Sequence, residues 1–269
     1  MKLGISTYTF TWAIGVPENM PKKPLTIFGL IDKAVKYKVD CVQIADNIPM
    51  HEFNDDYLLD LKRYADEKNI EIEVGTRGFT IENTLNYLRI AKIMGSPFLR
   101  MVIDAKDYHP DLEMVKSLTK DLIPYFEKEN IILSIENHDR FKAAAFKEMM
   151  ECVKTDYLAI CLDSVNSMGA GEGFREVCDL LLPYTINLHL KDFTIQRVFH
   201  NMGIEILGTP AGNGLLDVPE LLEKALKFKK CNSAILELWT PLKSTLEETI
   251  ALEQAWADES IVYLKSIID

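Results

Sequence analysis

The sequence predicts a single α/β domain over residues 1–269, folded as a closed parallel (β/α)8 barrel of the TIM type. Three observations lead there. Short apolar runs alternate with longer amphipathic stretches eight times, no hairpin turn signal separates one predicted strand from the next, and no glycine-rich dinucleotide fingerprint follows the first strand. A chain of 269 residues with 48% hydrophobic content also suits one barrel around one large core.

The elements follow in order. Strand 2–6 leads to a helix at 26–37, strand 39–44 to a helix at 54–68, and strand 70–74 to a helix at 80–94. Thr80 is a candidate N-cap for the third helix and Gly95 its stop. Strands 98–102, 131–135 and 158–162 then alternate with helices 112–129, 143–153 and 174–182. Strand 185–190 precedes a helix at 219–228, and strand 233–237 the last helix at 245–267, which Thr245 would cap. The interval 191–217 exceeds an ordinary connection and reads as an enlarged loop over the barrel mouth.

Composition narrows the partners. With 41 acidic against 30 basic residues the net charge is -11, which repels nucleic-acid backbones and anionic membrane surfaces, and no basic patch offsets it. Five scattered cysteines without a C-x-x-C pair point to a reducing, cytoplasmic setting. The start "MKLGISTYTFTWAIGVP" is broken by hydroxyls at Ser6, Thr7, Thr9 and Thr11 and has no small-residue cleavage site, so it reads as strand and loop rather than as a leader. No run approaches the ~20 apolar residues of a membrane helix.

Strand parity selects the chemistry. Side chains alternate faces, and barrel strands turn their aliphatics outward against the helices. If Leu133, Ile135, Ile160, Leu162, Ile186, Leu188, Leu190, Ala234, Leu236 and Leu238 pack outward, then Glu136, Asp163, His189 and Glu237 face the axis at four strand ends. Catalytic residues gather at such ends. Glu136 and Asp163 stand 27 positions apart, and Asp163 and His189 26 apart, each about one strand-helix-strand unit. Three converging carboxylates repel one another and resist desolvation unless a cation joins them, so the set predicts one divalent metal ion. An imidazole with three carboxylates suits Mn²⁺, the first choice, and also Mg²⁺, Co²⁺ or Zn²⁺.

The stretches "SIENHDRF", "CLDSVNSM", "LHLKDF", "GTPAGNGLLD" and "ILELW" resemble the sugar isomerase/epimerase family with the xylose-isomerase-like barrel, which includes ketose 3-epimerases and inosose dehydratases. The resemblance spans nearly the whole chain. It implies a metal held by Glu136, Asp163, His189 and Glu237, a free carbohydrate substrate, and assembly into homo-oligomers. It also implies an isomerase or epimerase in which Glu136 and Glu237 serve as acid and base across an enediolate, one removing a carbon-bound proton and the other returning it. In ketose 3-epimerases a histidine usually follows the strand-six aspartate by three residues; here Asn166 stands there, which can hydrogen-bond a hydroxyl but not take up a proton. Arg197 is the candidate for a family substrate-binding arginine.

Further residues qualify for substrate contact. Glu73 and Arg100 share the axis side of strands three and four, where a buried ion pair between them is the plain expectation. Arg100, or Arg77 just beyond strand three, would otherwise meet a substrate hydroxyl or the carboxylate of an acid sugar. His138, two positions after Glu136, is a candidate for a substrate hydrogen bond or for support of the site from behind, Lys191, in phase with His189, for neutralising a carboxylate or binding a substrate oxyanion, and Asp192 for loop support. Tyr8, Phe10, Trp12 and Trp239 would wall the pocket against a sugar's apolar face.

Other functions compete with this one. A metal-dependent dehydratase or other lyase would use the same enolate to expel a β-hydroxyl or glycosidic oxygen from a keto-sugar, keto-glycoside or inosose. An apurinic endonuclease of the same barrel needs a three-metal cluster and a basic groove, which the charge and the few histidines disfavour. A non-catalytic sugar-binding protein would not need two opposed glutamates.

Overall fold

The computed structural model describes residues 1–268, and its strands are β1 (Lys2–Ser6), β2 (Cys41–Ile44), β3 (Glu71–Arg77), β4 (Phe98–Val102), β5 (Ile132–Glu136), β6 (Leu158–Asp163), β7 (Thr185–Leu190), β8 (Asp192–Arg197), β9 (Ile204–Thr209) and β10 (Ser233–Leu236). All but β8 and β9 close into a parallel barrel in which β10 bridges β7 back to β1. The helices are α1 (Thr11–Ile14), α2 (Ile27–Tyr37), α3 (Asp55–Glu67), α4 (Ile81–Met94), α5 (Leu112–Glu129), α6 (Ala143–Val153), α7 (Phe174–Leu181), α8 (Val218–Lys227) and α9 (Leu246–Ile268). Among the described residues, no helix is long and apolar enough to cross a membrane.

Local chemistry accounts for the helix boundaries. Thr26, Asn54, Thr80, Asp111 and Asp217 each accept a backbone N–H of the first turn they precede, a cap worth about 1 kcal/mol. Thr245 and Glu248 form a reciprocal capping box ahead of α9, at 3.1 and 3.2 Å. Gly95 ends α4 in the left-handed region at φ 66°.

The aliphatic residues expected to face outward are buried between strands and helices in one large core, with one exception. Ile186 packs instead with Phe98, Ala159 and Ile132 in a small separate cluster. The cause is a bulge. Ile160 pairs with Thr185 but Cys161 pairs with Asn187, so Ile186 is an extra residue on β7 and loses the parity of Leu188 and Leu190.

The enlarged loop also differs from expectation. Residues expected to be hairpin-free contain β8 and β9, an antiparallel ribbon running from the Asp192–Thr209 pair to the Arg197–Ile204 pair. Its base rests on the last barrel strand's exit: a Cβ on Gly208 would collide with the Trp239 Cβ and carbonyl, so only glycine permits the approach. Asp192 holds the returning chain by accepting from the amides of Gly212, Gly214 and Leu216 at 2.9, 2.9 and 3.0 Å, the loop support expected of it.

Candidate metal centre and substrate cavity

The barrel brings Glu136, Asp163, His189 and Glu237 to one level. Asp163 pairs in register with His189, His189 with Ile235, and Glu237 follows β10 directly. None is more than 1% exposed. His189 Nδ1 lies 3.6 Å from Glu136 Oε2, 3.8 Å from Asp163 Oδ2 and 3.5 Å from Glu237 Oε2.

Hydrogen bonds occupy one side of each group and leave the other bare. Asp163 Oδ1 accepts from the Val165 and Asn166 amides, both at 2.9 Å, and Glu237 Oε1 accepts from Ser6 Oγ at 3.1 Å. The atoms left over, Asp163 Oδ2, Glu237 Oε2 and His189 Nδ1, are buried without a hydrogen-bond partner. These three donors lie within 4.8 Å of one another, a fit for a divalent cation in number, kind and closeness. Lys191 Nζ approaches the same two oxygens, at 2.6 and 2.9 Å, as ion contacts lacking hydrogen-bond alignment.

Glu136 behaves differently. Its Oε1 accepts from Asn166 Nδ2 at 2.9 Å, and its Oε2 is taken by the Arg100 guanidinium through Nε. Arg100 in turn reaches Asp46 Oδ1 at 2.8 Å, and Asp46 Oδ2 accepts from Tyr8 OH at 3.1 Å and forms an ion pair with Arg77 Nε at 3.0 Å. Gly75, beside Arg100 in the register, makes room for this chain, since a Cβ there would stand 3.0 Å from Arg100 Cδ.

The cluster sets its own charges. Burial pushes the Glu237 carboxyl up, but the His189 ring, Lys191 and Arg100 outweigh it and hold the group down at about 2. Burial disfavours charge on Lys191, yet Asp163, Glu237 and Glu136 raise its pKa above the ordinary lysine value. Asp46 is held below the usual carboxylate range because Arg100 and Arg77 overcome its desolvation.

A cavity of about 430 Å³ opens over the cluster, lined by Tyr8, Thr11, Trp12, Arg77, Arg100, Glu136, His138, Asn166, Lys191, Leu238, Trp239 and Thr240. Larger hollows of 790 and 650 Å³ lie at the opposite end of the barrel around Ile132, Asp156 and Tyr157. Convergent polar groups, rather than size, mark the site.

Most of the substrate candidates meet here. Trp12 is set by Nε1–H donation to the Thr240 carbonyl at 2.8 Å, and its backbone amide donates to Glu253 at 2.8 Å. His138 lines the wall with Nδ1 2.5 Å from Asp139 Oδ1. Phe10 is buried in the core instead of walling the pocket.

Two further expectations fail. Arg197 lies at the far end of β8, exposed, with Nη1 donating to the Asn201 carbonyl at 3.2 Å; the ribbon carries it off the cavity lining. Glu73 and Arg100 do not pair, because Arg100 points to Glu136 and Asp46 while Glu73 accepts from Gln43 at 3.0 Å deeper in the barrel. Sequence reasoning also missed Asp46, Ser6, Asn137 and Gln43. Gln43 was detectable as a lone polar residue in the apolar run "CVQI", in axis phase if Val42 and Ile44 pack outward. Asn137 joins β5 to β6, accepting from the Asp163 amide at 2.7 Å and donating to the Asp163 carbonyl at 3.1 Å.

A closed parallel barrel with buried acids, an imidazole and a polar cavity at the C-terminal strand ends has the layout of a barrel enzyme. The chain belongs to the xylose isomerase-like TIM barrel family, whose sequence model matches residues 31–266. It is similar to the 3-oxo-isoapionate decarboxylase of Pectobacterium atrosepticum, at 29% identity over 264 residues covering 98% of this chain and 95% of that one. Among solved structures, D-psicose 3-epimerase from Clostridium cellulolyticum H10 with D-tagatose superposes at a TM-score of 0.74, 15% identity and full coverage of both chains. The IolI protein with a bound zinc atom superposes at 0.69 and 16% identity, covering 98% of this chain and 99% of that one.

Proposed function

We propose that this protein is a divalent-metal-dependent lyase that removes carbon dioxide from a 3-oxo sugar acid. It shares the enolate of the lyase alternative read from the sequence but differs from it in the group lost, carbon dioxide in place of water or an aglycone. One observation carries it: both oxygens of Glu136, the glutamate that lines the cavity, are committed, to Arg100 and Asn166, and Glu237 Oε2 lies 2.9 Å from Lys191 Nζ, so no two free glutamates face each other across the cavity. Epimerisation by proton removal and return needs two available groups, whereas decarboxylation needs a proton donor and a seat for a carboxylate. The likeness to a decarboxylase along 98% of the chain supports the same reading.

Arg77 would seat the substrate carboxylate, since its side chain is 45% exposed at the cavity while Asp46 anchors it at 3.0 Å through Nε. A divalent cation, Mn²⁺ in our reading, would be held by Asp163, His189 and Glu237 with Glu136 beside them and would supply Lewis acidity toward the keto oxygen. The bond from the carboxylate carbon to its neighbour breaks, carbon dioxide leaves, and the electron pair moves toward the keto oxygen. The neighbouring carbon then takes a proton from Lys191, kept charged by the surrounding acids, and solvent restores that proton. Tyr8, Trp12 and Trp239 shield the cavity from water. Asn166 and His138 would hold hydroxyls.

The test is carbon dioxide release with Mn²⁺ from a panel of 3-oxo sugar acids, starting with 3-oxo-isoapionate. Release with formation of the shortened ketose is expected. No release from any acid, together with solvent-deuterium uptake into a free ketose, would establish the epimerase reading instead, which the placement of Glu136 and Glu237 on either hand of His189 favours.

A further inference from the structure

Beneath the cluster, the barrel interior holds polar side chains that the chemistry above does not use. Gln43, Glu73, Cys161, Asn187 and Ser233 are all at most 1% exposed. Their hydrogen bonds run in one direction. Gln43 Nε2 donates to Glu73 Oε2 at 3.0 Å and to Asn187 Oδ1 at 3.1 Å. Asn187 Nδ2 donates to Ser233 Oγ at 2.8 Å, and Cys161 Sγ donates to Asn187 Oδ1 at 3.0 Å.

Two acceptors on one side of the Gln43 amide leave it a single orientation, with Oε1 turned the other way. That oxygen lies 2.7 Å from His189 Nε2. An amide oxygen only accepts, so the hydrogen of a neutral His189 sits on Nε2 and the lone pair on Nδ1. Nδ1 is the bare atom that faces Glu136, Asp163 and Glu237.

We propose that Gln43, anchored by Glu73 and Asn187, is a positioning residue that fixes His189 as its Nε2–H tautomer and thereby turns the Nδ1 lone pair toward the metal site. The metal consequence rests on the reading of the cluster given above; the tautomer rests on hydrogen bonding alone. Without the Gln43 oxygen, the three carboxylates around Nδ1 attract the ring hydrogen to that side, where it blocks the ligand atom.

The experiment uses the full chain with ¹⁵N-labelled histidine, metal-free, at a pH where the ring is neutral, read by long-range ¹H–¹⁵N correlation and followed by Mn²⁺ titration. The parent is expected to show Nε2 protonated. Gln43→Leu is expected to move the hydrogen to Nδ1 and to weaken Mn²⁺ binding by about 10- to 100-fold. The exchanged pair Gln43→Glu with Glu73→Gln keeps an acceptor for His189 and a donor–acceptor contact beneath it, so it is expected to restore the parent tautomer and affinity. It also serves as the test if Gln43→Leu fails to fold. An Nδ1–H ring in the parent, an unchanged ring in Gln43→Leu, or a folded exchanged pair that lacks the Nε2–H tautomer overturns the proposal. A parent that binds no Mn²⁺ overturns the metal reading instead, and the ring spectra still decide the role of Gln43.

Discussion

Replacing Glu73 by Gln should stabilise the protein, and increasingly so as pH rises. Glu73 is 1% exposed and faces no cation at contact distance; its hydrogen bonds come from the neutral Gln43 and Asn187 amides, at 3.0 and 3.4 Å. Burial therefore pushes its pKa from 4.5 up to about 7. The folded state thus holds this proton more tightly than the unfolded chain. That contribution is complete below about pH 4.5 and is lost as pH rises through about 7. The gap between those two values corresponds to roughly 3 kcal/mol, of which about 2 to 3 kcal/mol develops between pH 5 and pH 8.

The amide introduced by Glu73→Gln would occupy the same volume and carry no charge, so the folded variant has nothing to ionise there. The difference in stability between variant and parent should then widen by about 2 to 3 kcal/mol from pH 5 to pH 8. In a chain of this size, that is a difference in Tm growing by about 5 to 10 °C, measurable by scanning calorimetry of the metal-free protein at several pH values. A difference that stays flat across this range, or that grows toward low pH, refutes the assignment of a buried, easily protonated carboxyl at this position.

Glu237→Gln should cut turnover by about 10²-fold or more and lower the bound metal found by elemental analysis, since Oε2 is a bare donor of the cluster. Arg77→Met should raise KM for an acid substrate by about 10- to 100-fold with a smaller change in kcat, because it removes a charged contact made at the cavity mouth. Glu253, whose pKa is raised to about 7 by burial, accepts from the Trp12 and Ala13 amides at 2.8 and 3.0 Å. In a protein carrying Trp239→Phe and Trp256→Phe, Trp12 fluorescence should therefore titrate with a midpoint near 7, and adding Glu253→Gln should flatten the curve.

How far the sequence could be read follows from which forces act locally. The eight barrel strands and their helices come from short-range periodicity and caps, and their boundaries agree with the structure to within a few residues, as for 112–129 against Leu112–Glu129. The β8–β9 ribbon was missed because its pairing is a long two-stranded excursion that adds nothing to the barrel core, and its apolar residues, such as Phe199 at 97% exposure, lack a burial pattern. Ile186 was misplaced because one bulge resets parity for a single residue, a property of register between strands that neither strand encodes alone.

The site shows the same division at finer scale. Parity chose Glu136, Asp163, His189 and Glu237 because which face a side chain takes is a one-strand property. It could not distinguish Glu136 from Glu237, since their difference lies in partners from elsewhere in the chain. Arg100 and Asn166 come to Glu136 from β4 and the turn after β6, while Ser6 of β1 donates to one oxygen of Glu237 and the other meets Lys191 only as an ion contact. Both Glu136 oxygens already accept hydrogen bonds, while Glu237 Oε2 accepts none and is open to a cation. Two glutamates equivalent by parity thus become unequal through hydrogen bonding, and that inequality is the ground for proposing carbon–carbon bond cleavage over the passing of a proton from face to face. Freeing Glu136 by Arg100→Met with Asn166→His would test it: solvent exchange into a ketose should rise relative to carbon dioxide release, and an unchanged ratio would remove hydrogen bonding as the cause.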